Sequence, residues 1–166
     1  PMTAQKLEAE EAVLRCGVPY TILCPTWPME QLPRFVINGQ ATLVGDKPVP
    51  WHWFAAADLA RMVSKAFQTD KAAGKRLYIH GPQSFTMYDA LERTCQVLYP
   101  EVDEISVLPV EVAKNVAQSS GNQMLGFFAE LMDYFQKVGE PGNPAAANQI
   151  LGAPEITLDA WLQSKT

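Results

Sequence analysis

Along the chain, segments of helical spacing alternate with short, nearly unbroken apolar runs, the pattern of helices packed on a parallel sheet. Residues 3–16 read as a helix, with Thr3 as N-cap, acidic side chains in the early turns and Gly17 as its stop. VPYTILC, residues 18–24, is β-branched and apolar without clean alternation, and predicts a central parallel strand ended by Pro25 and Pro28. Residues 29–38 predict a short helix closed by Gly39. Val49–Phe54 predicts an extended segment with Trp51 and Trp53 on one face and His52 on the other.

Asp58 is the expected N-cap of DLARMVSKAF, in which Leu59, Met62, Val63 and Phe67 form the inner side. RLYIH predicts a strand ended by Gly81-Pro82, and Thr86 caps a helix through Leu98 with Leu91, Cys95 and Leu98 inward. Ile105–Leu108 is the last expected strand. Val110–Ser119 and Gln123–Val138 read as helices. In the second, Met124, Phe127, Phe128, Leu131, Phe135 and Val138 recur at helical spacing, as core packing or as a substrate-pocket wall. GEPGNPAAANQ reads as a loop by its Gly and Pro content, and Thr157 caps a closing helix, LDAWLQS.

With 166 residues, 48% of them hydrophobic and 19% charged, the chain has globular composition and the size of one domain. No apolar run reaches the ~20 residues of a membrane helix. The start, PMTAQKLEAEE, is acidic and unlike a signal or transit peptide, and its lack of an initiator Met points to a trimmed or partial chain. A net charge of −5 with scattered basic residues argues against a nucleic-acid partner. Cys16, Cys24 and Cys95 form no CxxC pair and read as buried reduced thiols of a cytoplasmic protein. His52 and His80 have no carboxylate adjacent in sequence, so the expected metal site is none.

None of the ten glycines stands in the GxGxxG or GxxGxxG context that cradles a dinucleotide pyrophosphate. Four other segments stand in a recognisable order. Lys6 opens a helix that runs into EAEEAVLRCGVPYTIL; Pro25-Thr26 follows at the strand end; Ala56-Ala57-Asp58-Leu59-Ala60 opens the next helix. His80-Gly81-Pro82, then Leu151-Gly152 to Thr157-Leu158 and Trp161-Leu162, close the series.

This set resembles the NmrA-like and related atypical members of the short-chain dehydrogenase/reductase superfamily. The resemblance implies an α/β fold, the C-terminal (substrate-side) portion of a Rossmann-like NAD(P)-binding fold, with the glycine-rich half absent. It implies one domain over 1–166, made of helix, central strand and loop (1–28) and a substrate-side lobe (29–166). In that family the matching lysine belongs to a Tyr-x-x-x-Lys pair, or acts alone in the reductases resembling isoflavone reductase; its ammonium binds the nicotinamide ribose and lowers the pKa of the proton donor. Lys6 stands at that position, with Met2 where the tyrosine would be, so this proton donor is absent. A lysine near a helix start is also commonly just solvated. Where the family often has Arg-Pro, the chain has Cys24-Pro25.

The resemblance puts Pro25, Thr26 and Trp27 at the nicotinamide end of the cofactor, although a strand terminator beside a packed aromatic is an equal reading. Trp51, Trp53 and Phe127 are the expected substrate residues. The implied function is part of an NAD(P)-dependent oxidoreductase or epimerase-like protein acting on a small organic substrate. Two alternatives stand beside it: a non-catalytic NAD(P)-sensing or protein-binding regulator, and an associating remnant that binds no nucleotide alone. Without the missing half, the strand at 18–24 would keep an open apolar edge, which predicts self-association or docking of that half.

Overall fold

The computed structural model describes residues 2–45 and 49–166, with side chains described from Gln5 onward. Helix α1 (Met2–Arg15) leads through Gly17 and Pro19 into strand β1 (Thr21–Pro25). Thr3 lies inside α1 and does not cap it. β1 is parallel to β6 (Lys75–Ile79), in register from Thr21 opposite Lys75 to Pro25 opposite Ile79. Among the described residues it has no second strand partner, so the expected central strand stands at an open edge. Its residues are half-buried up to Cys24, with Pro25 exposed.

Two further sheets build the lobe. In one, β5 (Trp51–Phe54) lies between β2 (Trp27–Pro28), parallel to it, and β7 (Gln83–Phe85), antiparallel. In the other, β4 (Gln40–Val44) lies between β3 (Val36–Ile37), antiparallel, and β8 (Ile105–Leu108), parallel. The sequence reading missed the β3–β4 hairpin. Its signal was the Asn38-Gly39 pair, whose φ values of 52° and 74° suit a two-residue hairpin turn. Met29–Phe35 is a 3₁₀ segment instead of an α-helix. Pro33 inside it lacks the N–H that an α-helical turn would use.

Six more helices follow: α2 (Ala56–Phe67), α3 (Met87–Leu98), α4 (Val110–Ser120), α5 (Gln123–Val138), α6 (Ala145–Leu151) and α7 (Leu158–Gln163). Thr86 and Thr157 cap α3 and α7 as expected, accepting from Asp89 N at 3.0 Å and Ala160 N at 3.2 Å. Asp58 does not cap α2, which begins two residues earlier with Ala55 as its N-cap. Instead its buried carboxylate accepts from Glu155 N and Ile156 N, both at 2.9 Å, and pairs with Arg61 at 3.1 Å. It ties the chain end to α2 across nearly a hundred residues.

In α2, Met62 is buried, but Val63 and Phe67 are exposed, Phe67 at 89%. The inner stripe is narrower than the sequence suggests, because α6 covers the Met62 side and the other side borders a surface hollow at Pro19 and Tyr20. α6 itself starts inside the expected loop and runs two residues past it. Asn143 Oδ1 accepts from Ala145 N at 2.8 Å, and the alanines that follow are strong helix formers.

The main core joins Met29, Leu32, Trp53, Leu91, Leu158 and Trp161. A second gathers Met62, Leu77, Ile79 and Leu151 under β6, and a third joins Val44, Val110, Ala113, Ala129 and Met132 between β4 and the α4–α5 pair. Of the expected inward residues of α5, Met124 and Val138 are exposed at the helix ends. Of the three cysteines Cys95 is buried, whereas Cys24 is half-buried and Cys16 exposed; all three are free thiols. Among the described residues no helix is long and apolar enough to cross a membrane.

Candidate functional site: two clefts beside the Glu140–Pro141 segment

β1 and β6 run parallel and end together, and ligands of open α/β sheets sit outside such carboxyl ends. There the chain makes its sharpest local arrangement. Thr26 N donates to Ile79 O at 3.0 Å, and Thr26 Oγ1 donates to His52 O at 2.6 Å, so the turn after β1 is fastened to β6 and to β5. Gly81 lies where a Cβ would come 1.6 Å from Trp53 O, so the chain leaving β6 can pass β5 only as glycine.

Beside this junction lies a cleft of about 410 Å³ lined by Lys6, Pro25, Thr26, Trp27, Trp51 and Phe127, together with Cys24, Tyr78, Phe135 and Pro141. Six residues singled out from the sequence thus line one cleft, although they come from four separate stretches of the chain. Trp53, the seventh, does not line it. It is fully buried in the main core, donates Nε1–H to Phe85 O at 3.3 Å, and backs Trp27 with ring centroids 6.2 Å apart. The alternation that set Trp51 and Trp53 on one face was right, but the cleft reaches only Trp51. Phe135 completes the aromatic wall, 5.7 Å from Trp27 and 4.7 Å from Trp51 between ring centroids.

The wall is apolar except at a few points. Lys6 is exposed, and its ammonium has no acidic partner among the described residues. Burial raises the Cys24 thiol above its ordinary value, so it stays protonated at neutral pH and makes a poor nucleophile. Tyr78 lines the cleft from β6, and the sequence reading did not single it out. Gly142, at φ 85°, accommodates its ring: a Cβ there would meet Tyr78 Cδ1 at 2.2 Å. Met2, where the family tyrosine would stand, has its side chain outside the described residues.

A second, more polar cleft is lined by His52, His80, Gly81, Gly142, Asn143 and Asn148. His52 leaves β5 opposite the two tryptophans, as alternation predicts. Glu140, which the sequence reading left unmarked, supplies the carboxylate that the histidines were expected to lack. Its Oε2 is 2.5 Å from His52 Nδ1 and 3.4 Å from His80 Nδ1, and its Oε1 accepts from His52 N at 2.8 Å. Glu140 is 88 residues from His52, so no local pattern announces the trio.

No family model matches the chain, and no curated protein matches it in sequence. Solved structures do. An isoflavone reductase superposes with a TM-score of 0.72 at 18% identity, over 98% of this chain and 58% of that one. The NADPH-dependent quinone oxidoreductase of Escherichia coli, complexed with NADPH, gives 0.69 at 19%, over 96% and 58%. A nucleoside-diphosphate-sugar epimerase from Staphylococcus aureus gives 0.63 at 19%, over 94% and 56%. The chain spans less than two thirds of the length of each, and at these identities the likeness is one of fold. The likeness agrees with the resemblance read from Lys6 through Trp161: over part of their length, the chain has the Rossmann-like α/β fold of these reductases and this epimerase.

Proposed function

We propose that this chain forms the nicotinamide- and substrate-side wall of an NAD(P)-dependent oxidoreductase or epimerase-like protein that acts on a small organic molecule. The observation that carries this reading is the cleft at the carboxyl ends of β1 and β6, where Lys6, Pro25, Thr26 and Trp27 meet the aromatic wall of Trp51 and Phe127. Pyrophosphate binding falls to a glycine-rich turn outside this sequence, on the same longer chain or a second one. The open edge of β1 and the exposed Leu7, Leu14 and Val18 suit a covering segment there.

In this reading the Lys6 ammonium holds the nicotinamide ribose, the Pro25–Trp27 turn fixes the ring, and Trp51 with Phe127 and Phe135 shields the reacting carbon from water. The cofactor, when bound, supplies the hydride. With Met2 at the family tyrosine position, Tyr78, the phenol in the cleft wall, would give or take the accompanying proton in this reading. A non-catalytic NAD(P) sensor is the second reading, favoured by that same Met2. Tyr78→Phe in the full-length protein separates them, because turnover falls with cofactor affinity unchanged only if the enzyme reading holds.

Nicotinamide mononucleotide tests the wall itself, since it carries the end of the cofactor this cleft would meet and needs no pyrophosphate grip. In an NMR titration of the chain, the expected result is a saturable millimolar shift of the Thr26 amide and the Trp27 indole, at least threefold weaker in Lys6→Ala. Saturable shifts elsewhere, or none at all, would overturn the reading.

A further inference from the structure

We propose that His52, His80 and Glu140 form a binding site for a zinc-type divalent cation, independent of the NAD(P) reading. The three groups arrive from different places: His52 from the middle of β5, His80 directly after β6, and Glu140 from the loop after α5. Their ligand atoms all lie within 4.8 Å of one another. Two imidazoles and a carboxylate are a set that zinc uses with a fourth position open. Here the open side is the polar cleft, whose wall includes Asn148, with a buried side-chain oxygen that has no hydrogen-bond partner.

The hydrogen bonds around His80 aim its second ring nitrogen at the Glu140 carboxylate. His80 Nε2 lies 3.1 Å from Pro141 O, and a carbonyl can only accept, so Nε2 carries the proton. In a neutral ring Nδ1 is then a bare lone pair, and it faces Glu140 Oε2 at 3.4 Å, acceptor against acceptor. The side chains of His80 and Glu140 are 8% and 13% exposed, so water does little to relieve this. A metal ion between them removes the repulsion, as a proton on Nδ1 would. The carbonyl on the remote nitrogen is also the usual outer partner of a metal-bound histidine. Glu140 is held in turn through its other oxygen by the His52 amide at 2.8 Å.

Tetrahedral zinc at ~2.0–2.1 Å from its ligands separates them by about 3.4 Å. His80 Nδ1 and Glu140 Oε2 already stand at that spacing. His52 Nδ1, at 2.5 Å, must draw back by about 1 Å on this geometry, and its 37% exposed side chain has room to rotate. Ion binding would clamp the loop that carries Pro141, itself part of the wall of the apolar cleft.

The test is calorimetric titration of the chelator-treated chain with zinc at neutral pH, with thermal unfolding beside it and cobalt(II) as a spectroscopic stand-in. The expected result is one zinc per chain, a zinc-dependent rise in Tm, and a four-coordinate cobalt spectrum in the visible. Glu140→Gln and His52→Gln should each weaken zinc at least tenfold, with circular dichroism unchanged for the half-exposed His52 variant. A Cys16→Ser/Cys24→Ser double variant should bind as the parent does. Absence of a zinc-dependent Tm rise in the parent would overturn the proposal, as would binding that the cysteine variant loses and His52→Gln keeps.

Discussion

The N-terminal strip and the lobe behind it are built from equally apolar sequence, yet they treat water differently. In the strip, Leu7 and Leu14 of α1 and Val18 after it are 61%, 52% and 60% exposed, and β1 has an unpaired edge among the described residues. Glu10–Arg76 is the ion pair that ties this helix to β6. In the lobe, Met29, Leu32, Trp53, Leu91 and Leu158 are fully buried. The difference lies in what stands opposite each face: lobe elements cover one another, whereas the strip's outer face meets nothing described. An apolar face without a neighbour is a surface prepared for one, which is why the NAD(P) reading needs a covering segment.

The comparison is broken most directly by truncation on each side of it. Trp53→Ala removes the largest fully buried side chain and should cost ~3–5 kcal/mol, read from the denaturant midpoint. Leu14→Ala in the strip should cost under about 0.5 kcal/mol, as exposed positions do. A cost for Leu14→Ala close to that of Trp53→Ala would mean the strip is covered in solution, and a concentration-dependent midpoint would name a second copy as the cover.

Asp58→Ala comes next, because the lobe is also closed by polar ties. It strands two backbone N–H groups and removes the ionic partner of Arg61, which keeps its bond to Ala153 O, so a loss of ~2–3 kcal/mol is expected. Faster hydrogen exchange at Glu155 and Ile156, with α1 unaffected, would localise the effect to the lobe. Equal exchange changes in both regions would erase the distinction between them.

The smallest effect is electrostatic. Hydrogen bonds from Lys137 and Lys114 lower the Asp133 carboxyl below its ordinary value, and those that Lys114 donates to Glu111 and Asp133 raise its ammonium above its own. A lowered carboxyl stabilises the α4–α5 pair in full above the usual carboxylate range and loses that contribution as pH falls through the lowered value. A raised lysine acts at the other end: its contribution is full below the usual lysine range and is lost as pH climbs through the raised value. Asp133→Asn should therefore flatten the acid limb of a Tm-against-pH profile while leaving α1 unchanged, and an unaltered limb would place acid sensitivity outside this helix pair.

Local signals carried the reading a long way. The Gly17 stop, the Thr86 and Thr157 caps, and the β5 alternation are decided within a few residues, so they are written in sequence order. The apolar cleft was legible because Pro25–Trp27 is contiguous and the family resemblance ordered Lys6 before it. Where chemistry depended on partners far along the chain, local reasoning went astray: Asp58 read as a cap and serves as a tie, and Trp53 read as a pocket residue and serves as core.

By itself, then, the sequence determined the types of most elements (the β3–β4 hairpin and α6 excepted), the composition of an acidic globular chain, and the loop after β1, because propensity, capping and turn chemistry act over short range. Tertiary structure alone decided that Glu140 lies between His52 and His80, that Tyr78 lines the cleft, and that β1 is left at an edge. Such facts depend on which distant segments are packed against each other, and no spacing along the chain encodes them.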